Sequence, residues 1–519
     1  MSTTHTSGAP GATAGHLSPR RRWAALAVLS TSLLVVVMDM TILNVALPDM
    51  AAALSPTAAQ QLWIVDIYSL VLAGLLVSMS TLGDRWGRRR LLLAGFSVFG
   101  GASLLILVAE SAPMVIAVRA LLGVGGAMIM PATLSMIRSL FTDPAERAKA
   151  LGIWAAVASL GAAVGPIVGG VLLEHFAWQA AFLLNVPWMV AAIVAAVLLL
   201  PEARNPNPGR WDALATVLSI AGMTALVWSI KRIAKEGPTD LLALAALTAG
   251  LALLVWFVLR CLRSDSPLLR VRLFGVPSFT AGTLAALFTM MAMGSALLLS
   301  AQWLQLVRGM SPLQAGVALL PLAIAATVVS PLAPALAQRI GARTVLVGGL
   351  ALAGLGFAVL AVAPEPLGYT PVGIFLALLG AGMGSLAIAS AIIMSGTPAE
   401  HAGSAAAIEE TSYELGAVLG VAVLGSTAAA LYRAELPASD LAAAGLSSEQ
   451  VGVAQESLGG ALHVLDGLGP AGAAAAAQAQ DAFTHGLMLV GGIGAAIMLV
   501  SVVVVFALTP KGLDVTKGH

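Results

Sequence analysis

The sequence predicts an all-α integral membrane protein, and three observations carry this prediction. Of its 519 residues, 59% are hydrophobic and only 10% are charged. Soluble domains carry about 25% charged residues, so this chain has too little polar surface to cover a compact body in water. Long apolar runs recur along the chain, and the half before residue 200 is echoed after residue 278. We therefore expect two pseudo-symmetric six-helix bundles with two extra helices between them.

Fourteen apolar runs are long enough to cross a bilayer, which takes about 20 residues as a helix. They lie at 23–47, 60–82, 91–109, 113–136, 149–172, 180–200, 212–230, 240–260, 278–300, 312–337, 344–362, 370–394, 404–431 and 482–508. The predicted domains are a disordered cytoplasmic tail at 1–22, a first six-helix bundle at 23–200, a linker with the two extra helices at 201–277, a second six-helix bundle at 278–508 and a cytoplasmic tail at 509–519. The arrangement is 6 + 2 + 6.

The distribution of Lys and Arg predicts the orientation. If the N-terminus is inside, 20 of the 26 Lys and Arg residues lie on the inner side and five on the outer side, with Arg119 inside a span. The outer five are Lys231, Arg232, Lys235, Arg308 and Arg433. Cytoplasmic loops carry the excess of positive charge in membrane proteins. Both termini are therefore expected in the cytoplasm.

Two polar features are expected to begin helices. Ser447 and Gln450 fit a capping box within the segment 432–481, which is too polar to span. Apolar residues recur at helical spacing after this box, so the segment reads as an extracellular amphipathic hairpin, with a solvated connection as the alternative. Asp212, at the start of the seventh run, is expected to be a helix N-cap.

The two six-span sets look like copies. GDRWGRRRLLLAG at 83–95 is echoed by AQRIGARTVLVGG at 337–349, and LGAAVGPIVGG at 160–170 by LGAVLGVAVLG at 415–425. The offsets are 254 residues (83 to 337) and 255 residues (160 to 415). Two bundles related by a repeat, with a crevice between them, are typical of transporters.

Several strings carry a specific resemblance. They are MDMTILNVALP at 38–48, WIVDIYSLVLAG at 63–74, STLGDRWGRRR at 80–90, VRALLGVGG at 118–126, GAAVGPIVGG at 161–170 and AAAIEETSYELG at 405–416. Together they resemble the signature motifs of the major facilitator superfamily, in its fourteen-span drug:proton antiporter branch near the QacA-like exporters of quaternary ammonium compounds. Ser80 stands where the family usually has Gly. The resemblance covers the chain from Arg22 to the last span.

The resemblance implies roles for two of these motifs. Asp84 with Arg85, Arg88 and Arg89 would be a conformational latch between the two bundles, although these arginines could simply mark a cytoplasmic loop. The fifth span would carry the antiporter motif, with Gly161, Gly165, Pro166 and Gly169. Small residues every four positions let helices approach closely, so packing is their expected primary role and a smooth rocking face its consequence.

Five carboxylates fall within the predicted spans: Asp39, Asp66, Glu409, Glu410 and Glu414. An ionised acid in mid-membrane costs roughly 2.5–3.5 kcal/mol, so five facing lipid would cost on the order of 12–17 kcal/mol. Arg119 is the one opposite charge in the predicted spans. The acids are therefore expected to face a cavity, to pair, or to carry protons. We predict that all five, with Arg119, serve proton coupling and cation binding.

The first-bundle acids have a structural alternative. Asp66 and Arg119 lie about six residues, or roughly 9 Å, from the outer ends of their spans, and Asp39 lies at similar depth. An Asp66 to Arg119 ion pair could therefore lock the bundle. In the functional interpretation, Asp39 and Asp66 offer negative charge to a cationic drug or a proton.

The acids near residue 410 form a second group. Glu410 and Glu414 are four residues apart and share a helix face, whereas Glu409 lies beside Tyr413 on another face. Like charges at this spacing repel, so the two carboxylates are expected to titrate as one pair and to carry a proton. A polar helix start facing the cytoplasm is the alternative.

Aromatic and Met side chains near the expected crevice could contact flat lipophilic cations. The predicted substrate-cavity residues are Tyr68, Trp188, Met290 and Tyr413. Packing against lipid or neighbouring helices is the alternative for each of them.

These features favour proton-driven efflux of lipophilic cations from a bacterial cell membrane. The chain has no phosphate-binding G-x-x-x-x-G-K-[ST] motif, a net charge of +1 and a single cysteine, Cys261. We therefore expect no ATP, nucleic acid, metal or cofactor, and a monomer in the bilayer with protons and small cations as its partners. The alternatives are an exporter of one endogenous antibiotic or metabolite, and a nutrient symporter of the same fold.

Overall fold

The computed structural model describes residues 18–141, 143–204, 211–264, 267–395, 397, 402–466 and 468–510. In these ranges the chain is helical and contains no strand. The predictions made for residues 1–17, 205–210 and 511–519 lie outside the described residues.

The helices of the first half are α1 (Pro19–Leu54), α2 (Ala58–Trp86), α3 (Arg88–Leu105), α4 (Ala112–Leu140), α5 (Pro144–His175), α6 (Ala180–Leu183), α7 (Asn185–Leu199), α8 (Ala213–Glu236) and α9 (Leu241–Arg263). A 3-10 turn, Ile106–Val108, extends α3.

The helices of the second half are α10 (Pro277–Gln302), α11 (Pro312–Ala318), α12 (Leu320–Ile340), α13 (Ala342–Ala361), α14 (Tyr369–Gly382), α15 (Gly384–Ser395), α16 (Ala402–Gly420), α17 (Ser426–Glu435), α18 (Ala438–Ala443), α19 (Ser448–Glu456), α20 (Leu458–Leu465) and α21 (Gly469–Leu508). A 3-10 turn, Val271–Gly275, precedes α10, and π turns at Trp303–Val307 and Val421–Gly425 follow α10 and α16.

Within the described ranges, 13 helical stretches are long and apolar enough to cross a membrane. Each coincides with one of the fourteen predicted spans. The remaining prediction, at 149–172, falls within α5, Pro144–His175. The chain is thus a multi-pass membrane protein, since apolar helices in this number have no other solvent to face.

The helices pack as two groups joined by a seam. In the first group, α1 packs on α5 and α4 lies between α2 and α3. In the second group, α10 packs on α16 and α13 on α21. Across the seam, α5 contacts α11 and α2 contacts α16.

The two extra helices, α8 and α9, are joined by polar contacts to each other, and α8 is joined in the same way to α2. Asp212 caps α8 by accepting a hydrogen bond from the Ala215 N–H, as predicted. Arg260 on α9 donates to the Asp212 carboxylate at 2.7 Å, and this hydrogen bond holds the pKa of Asp212 below its usual range. The Thr216 hydroxyl of α8 lies 2.6 Å from the Ser78 hydroxyl of α2. These contacts set the position of α8 beside the first group.

Two predicted boundaries were wrong. The disordered tail was predicted to reach residue 22, but α1 already begins at Pro19, and Arg22 pairs with Glu146 of α5 at 2.9 Å. The seventh span was ended at 230, whereas α8 continues to Glu236. A helix can continue past the apolar run wherever a neighbouring helix offers partners for its polar side chains.

The hairpin prediction also needs a correction in extent. Residues 469–481 belong to α21, because the Ala-rich run AGAAAAAQAQ has high helix propensity, and α17 continues to Glu435. The segment between these two helices is 436–468, which we call the hairpin segment. It holds three short helices, and Ser447 with Gln450 forms the predicted capping box. Val451, Leu458 and Leu465 are buried, as expected of an amphipathic segment. Its extracellular location stays a prediction.

Candidate functional site

Asp39 and Arg119 form an ion pair in the interior of the first group. Arg119 Nη1 on α4 lies 2.7 Å from Asp39 Oδ2 on α1, and both side chains are about 2% exposed. Asn185 on α7 donates from Nδ2 to Asp39 Oδ1 at 2.7 Å. Arg119 also donates from Nε to the Ile64 carbonyl at 3.1 Å, and its guanidinium lies 4.6 Å from the Tyr68 ring centre. Each group of this pair therefore has a second polar partner, as buried charges require.

Asp66 is paired differently from the structural alternative considered for it. Arg119 does not pair with Asp66, because its partner is Asp39. Asp66 Oδ2 lies instead 2.8 Å from Lys231 Nζ on α8, with both side chains at most 2% exposed. The Lys231 ammonium also lies 4.2 Å from the ring centre of Trp63.

Two predictions about Lys231 are therefore wrong. It is not an exposed residue of the outer loop, and Arg119 is not the one cation within the spans. The reason is the longer helix: α8 carries Lys231 one and a half turns below its end at Glu236, where the side chain meets Asp66.

The acids of α16 lie where the two groups of helices meet. Glu409 accepts a hydrogen bond from the Tyr413 hydroxyl at 2.5 Å, so these predicted neighbours do contact each other. Glu414 is 5% exposed, and the Ser69 hydroxyl of α2 lies near its carboxylate. In the part of the chain that the structure describes, no Lys or Arg lies within 4.0 Å of Glu410 or Glu414. Glu409 has no such basic partner there either, so the acids of α16 differ in this respect from Asp39 and Asp66.

The predicted substrate-cavity residues do not form one cluster. Tyr68 is fully buried beneath Arg119, and Tyr413 lies beside Glu409. Met290 on α10 packs against Gly416 of α16, close to the acids. Trp188 is 43% exposed and lines a groove between α1 and α7.

The predicted latch residues hold the turn between α2 and α3. Asp84 Oδ1 accepts from Arg88 Nε at 3.1 Å and from Nη2 at 2.9 Å. Arg88 Nη1 also donates to the Ser135 carbonyl of α4 at 3.2 Å, and Arg89 Nη2 to the Val197 carbonyl of α7 at 2.8 Å. Each of these hydrogen bonds joins parts of the first group. Arg85 is exposed.

Two faces of α5 make close helix contacts, one with α1 and the other with α11. A Cβ atom at Gly161 would lie 2.8 Å from the Leu34 carbonyl of α1, and Gly165 and Gly169 face the same helix. Across the seam, a Cβ at Gly316 of α11 would lie 2.5 Å from the Pro166 carbonyl. Both approaches need residues without a Cβ.

Polar contacts between the two groups cluster on the predicted outer side. Gln305 donates to the Val45 carbonyl at 3.1 Å, and Ser311 donates to Glu174 at 2.6 Å. Glu456 of the hairpin segment accepts from the Ala58 N–H at 2.9 Å. Between these contacts lies a small cavity, lined among others by Leu62, Leu298, Ala429 and Glu456, which we call the outer seam cavity.

Sequence reasoning missed three residues of this arrangement. Lys231 was placed in a loop, Asn185 was not considered, and Glu456 was counted only as a polar residue of the hairpin. A signal existed for Lys231, because a lysine that directly follows an apolar run can still be buried if a neighbouring helix supplies an acid. As for a metal, no group of three or more His, Cys, Asp or Glu side chains comes together among the described residues.

Comparison with known proteins identifies relatives over most of the chain. It is 41% identical over 491 residues to the multidrug efflux pump LfrA of Mycolicibacterium smegmatis, covering 94% of this chain and 96% of the relative. It is 38% identical over 492 residues to the methyl viologen resistance protein SmvA of Salmonella typhimurium, covering 94% and 98%. The tetracenomycin C resistance and export protein of Streptomyces glaucescens is 31% identical over 407 residues, covering 78% and 76%.

The fold and the family agree with these relatives. A bacterial homolog of the human lysosomal transporter Spinster, solved in an inward-facing and unoccupied conformation, superposes with a TM-score of 0.67 at 16% identity, covering 95% of this chain and 98% of that one. At this identity the likeness concerns the fold alone. The model of the Major Facilitator Superfamily matches residues 29–421. The chain therefore belongs to the Major Facilitator Superfamily, as a membrane transporter related to drug efflux proteins.

Proposed function

We propose that this chain is a proton-driven exporter of lipophilic cations, including quaternary ammonium compounds and dyes, which works by alternating access and confers multidrug resistance. The observation that carries the proposal is the pair Glu410 and Glu414. These acids lie where α16 meets α2, with no basic partner in the described part of the chain, whereas Asp39 and Asp66 each hold a cationic side chain. Carboxylates without a basic partner in this position can take up either a proton or a cation.

The mechanism follows from competition for the same carboxylates. Outside protons neutralise the acids and release the cation, and an inside cation displaces the protons. Because neutral and charged forms favour different packings of the seam, the binding of either ligand shifts the inward/outward equilibrium. Two further carboxylates would contribute to the change in charge on proton and cation binding. They are those of Glu409, beside Tyr413, and of Asp39, beside Arg119.

The finer architecture belongs to this proposal. We place the chain in the QacA-like group with fourteen spans in a 6 + 2 + 6 arrangement, as a monomer in the bacterial cell membrane with both termini in the cytoplasm. Asp84 with Arg88 would favour one conformation of the two groups, and the glycine faces of α5 would let them rock. Tyr68, Met290 and Tyr413 would line the path of the cation.

The printed names of the relatives support cationic or multiple substrates. LfrA is named as a multidrug efflux pump, and SmvA is named for resistance to methyl viologen. The tetracenomycin C resistance and export protein instead favours a second candidate, a proton-coupled exporter of one endogenous antibiotic or metabolite. A nutrient symporter of the same fold has no such relative among these proteins.

Transport in everted membrane vesicles tests the proposal. With an imposed proton gradient, vesicles containing the protein should accumulate ethidium, and Glu410→Gln with Glu414→Gln should abolish this accumulation at equal expression. The exposed acid Glu449 of α19 provides a matched control, because Glu449→Gln removes the same charge outside the spans. Failure to accumulate ethidium or any quaternary ammonium compound would leave the second candidate.

A further inference from the structure

Trp63 and Asp66 are arranged as a site for an organic cation. Organic cations bind where a carboxylate supplies charge and an aromatic face supplies the quadrupole. Here the positive charge is supplied by the chain itself, since Lys231 Nζ lies 2.8 Å from Asp66 Oδ2 and 4.2 Å from the Trp63 ring centre. We propose that Trp63 and Asp66 form a cation-binding site which Lys231 occupies as a tethered cation and leaves when a substrate cation binds. This inference rests on the proposed function and makes Lys231 a determinant of affinity.

The ion pair of Lys231 and Asp66 has fewer hydrogen-bond partners than the buried ion pair of Asp39 and Arg119. Asp39 receives Asn185 as well as Arg119, and Arg119 also donates to a carbonyl. Among the described residues, no further hydrogen-bond acceptor receives Lys231 Nζ. A lysine can give up such a site more readily than an arginine, because its ammonium is a point charge on a flexible stem.

The energetics argue against a purely stabilising role. A buried ion pair without additional hydrogen bonds rarely repays the desolvation of its two charges. An apolar pair at these positions would stabilise α8 against α2 at least as well. Retaining two charges here therefore indicates a use for them.

The position of the pair links it to the seam. Leu70 of α2, Val227 of α8 and Val418 of α16 pack together in one buried cluster that also includes Trp63. The site is thus closed while α16 packs on α2, and separation of these helices would open it. Lys231 keeps Asp66 neutralised during the closed part of the cycle, when no outside ion can reach it.

Tethered occupancy makes a quantitative prediction for affinity. If the ammonium occupies the carboxylate nine-tenths of the time, the apparent affinity of a competing cation falls about tenfold. Removing the ammonium should therefore tighten binding by about tenfold, although it removes a native contact. If Lys231 were only structural, removing its ammonium would weaken binding or leave it unchanged.

Ethidium binding to the full-length protein in nanodiscs tests this. Lys231→Gln should bind about tenfold tighter than the native protein, whereas Lys231→Arg, which keeps a tethered cation that leaves the site less readily, should bind no tighter than the native protein. Arg232→Gln is the matched control, because it removes the same charge from the neighbouring residue, whose partner Asp240 lies near the surface. The double variant, Asp66→Asn with Lys231→Gln, should not show the tighter ethidium binding of Lys231→Gln.

A measurement of proton release separates displacement of the Lys231 ammonium from other causes of tighter ethidium binding. In Lys231→Gln a proton takes the place of the ammonium at the buried Asp66, so ethidium binding should release up to one more proton per bound dye than in the native protein. Unchanged or weaker binding by folded Lys231→Gln overturns the inference, and so does tight binding that survives in the double variant. If the native protein exports ethidium in such a case, the proposed function stands without this site.

A second measurement uses the unaltered chain, in case Lys231→Gln does not fold. Saturating ethidium should raise the labelling of Lys231 by an amine-reactive reagent at least severalfold, as read by mass spectrometry. Lys149 and Lys235 serve as internal controls, because both lie nearer the surface. Labelling of Lys231 that ethidium leaves unchanged would overturn the inference.

Discussion

At the scale of single residues, the buried charges divide into two kinds. Asp39 and Asp66 are each neutralised by a basic side chain in the structure, whereas Glu410 and Glu414 have no such partner among the described residues. Breaking a buried pair by removing one partner costs about 3–5 kcal/mol, since it leaves a charge without compensation. Variants of the paired acids will therefore affect folding and transport together, and the two effects need separate measurements.

The Asp39 to Arg119 pair allows that separation. Asp39→Asn and Arg119→Gln should each lower the free energy of unfolding by about 3–5 kcal/mol, because each leaves its partner buried and unpaired. The double variant should regain most of this stability but should not export ethidium, since the carboxylate is gone. Thermal unfolding of the purified protein and dye export in cells measure the two effects. Full export by the double variant would show that Asp39 is purely structural.

Glu410 and Glu414 should behave as one titrating unit. Changing either to Gln should reduce the proton release caused by ethidium binding by about half or more, and changing both should add little, because the proton belongs to the pair. Proton release from detergent-solubilised protein, followed with a pH dye, measures this. Effects of the two changes that simply add would contradict a shared proton, and Glu449→Gln should show no effect.

At the scale of helices, the sequence predicted where spans lie better than where they end. Each of the apolar runs lies on helix in the structure, because burial in lipid depends on local composition. The ends depend on neighbours: α8 runs on to carry Lys231 to Asp66, and α21 begins early in an Ala-rich stretch. Caps such as Asp212 and Ser447 could be read from sequence because their hydrogen bonds are local. The Asp39 to Arg119 pairing could not, because their helices are 80 residues apart in sequence.

The hairpin segment holds the outer side closed through Glu456. Its carboxylate accepts from the Ala58 N–H at the start of α2 and lies 3.3 Å from Lys235 Nζ of α8. An exposed ion pair contributes up to about 1 kcal/mol, and an anion at a helix N-terminus about 0.3–1 kcal/mol. Together they amount to at most about 2 kcal/mol, which is at most roughly a 30-fold change in population.

Glu456→Ala should therefore open the outer seam cavity more often. In a Cys261→Ala background, Ala429→Cys reports on this cavity through its reaction with a membrane-impermeant maleimide. The reaction should become faster in Glu456→Ala, by up to about 30-fold, while the neighbouring acid variant Glu449→Ala should leave the rate unchanged. Equal rates for the two variants would remove Glu456 from the closing contacts.

At the scale of the whole molecule, the structure is closed on the predicted outer side. The polar contacts at Gln305, Ser311 and Glu456 join the two groups of helices there. A cycle of export therefore requires these outer contacts to open and then to form again.

The contact of α11 with α5 tests whether outer closure is needed for transport. A side chain at Gly316 would meet the Pro166 carbonyl, which is backbone and cannot move aside, so Gly316→Val should keep the two groups apart on the outer side. We expect ethidium export to fall at least tenfold and the Ala429→Cys reaction to accelerate, with normal insertion into the membrane. Gly348→Val is the matched control, because a Cβ at Gly348 of α13 meets no atom within 4 Å. Since Val carries the same unfavourable χ1 restriction in both helices, the difference between the two variants isolates the effect of the seam. Native export by Gly316→Val would mean that the transport cycle does not pass through this closed conformation.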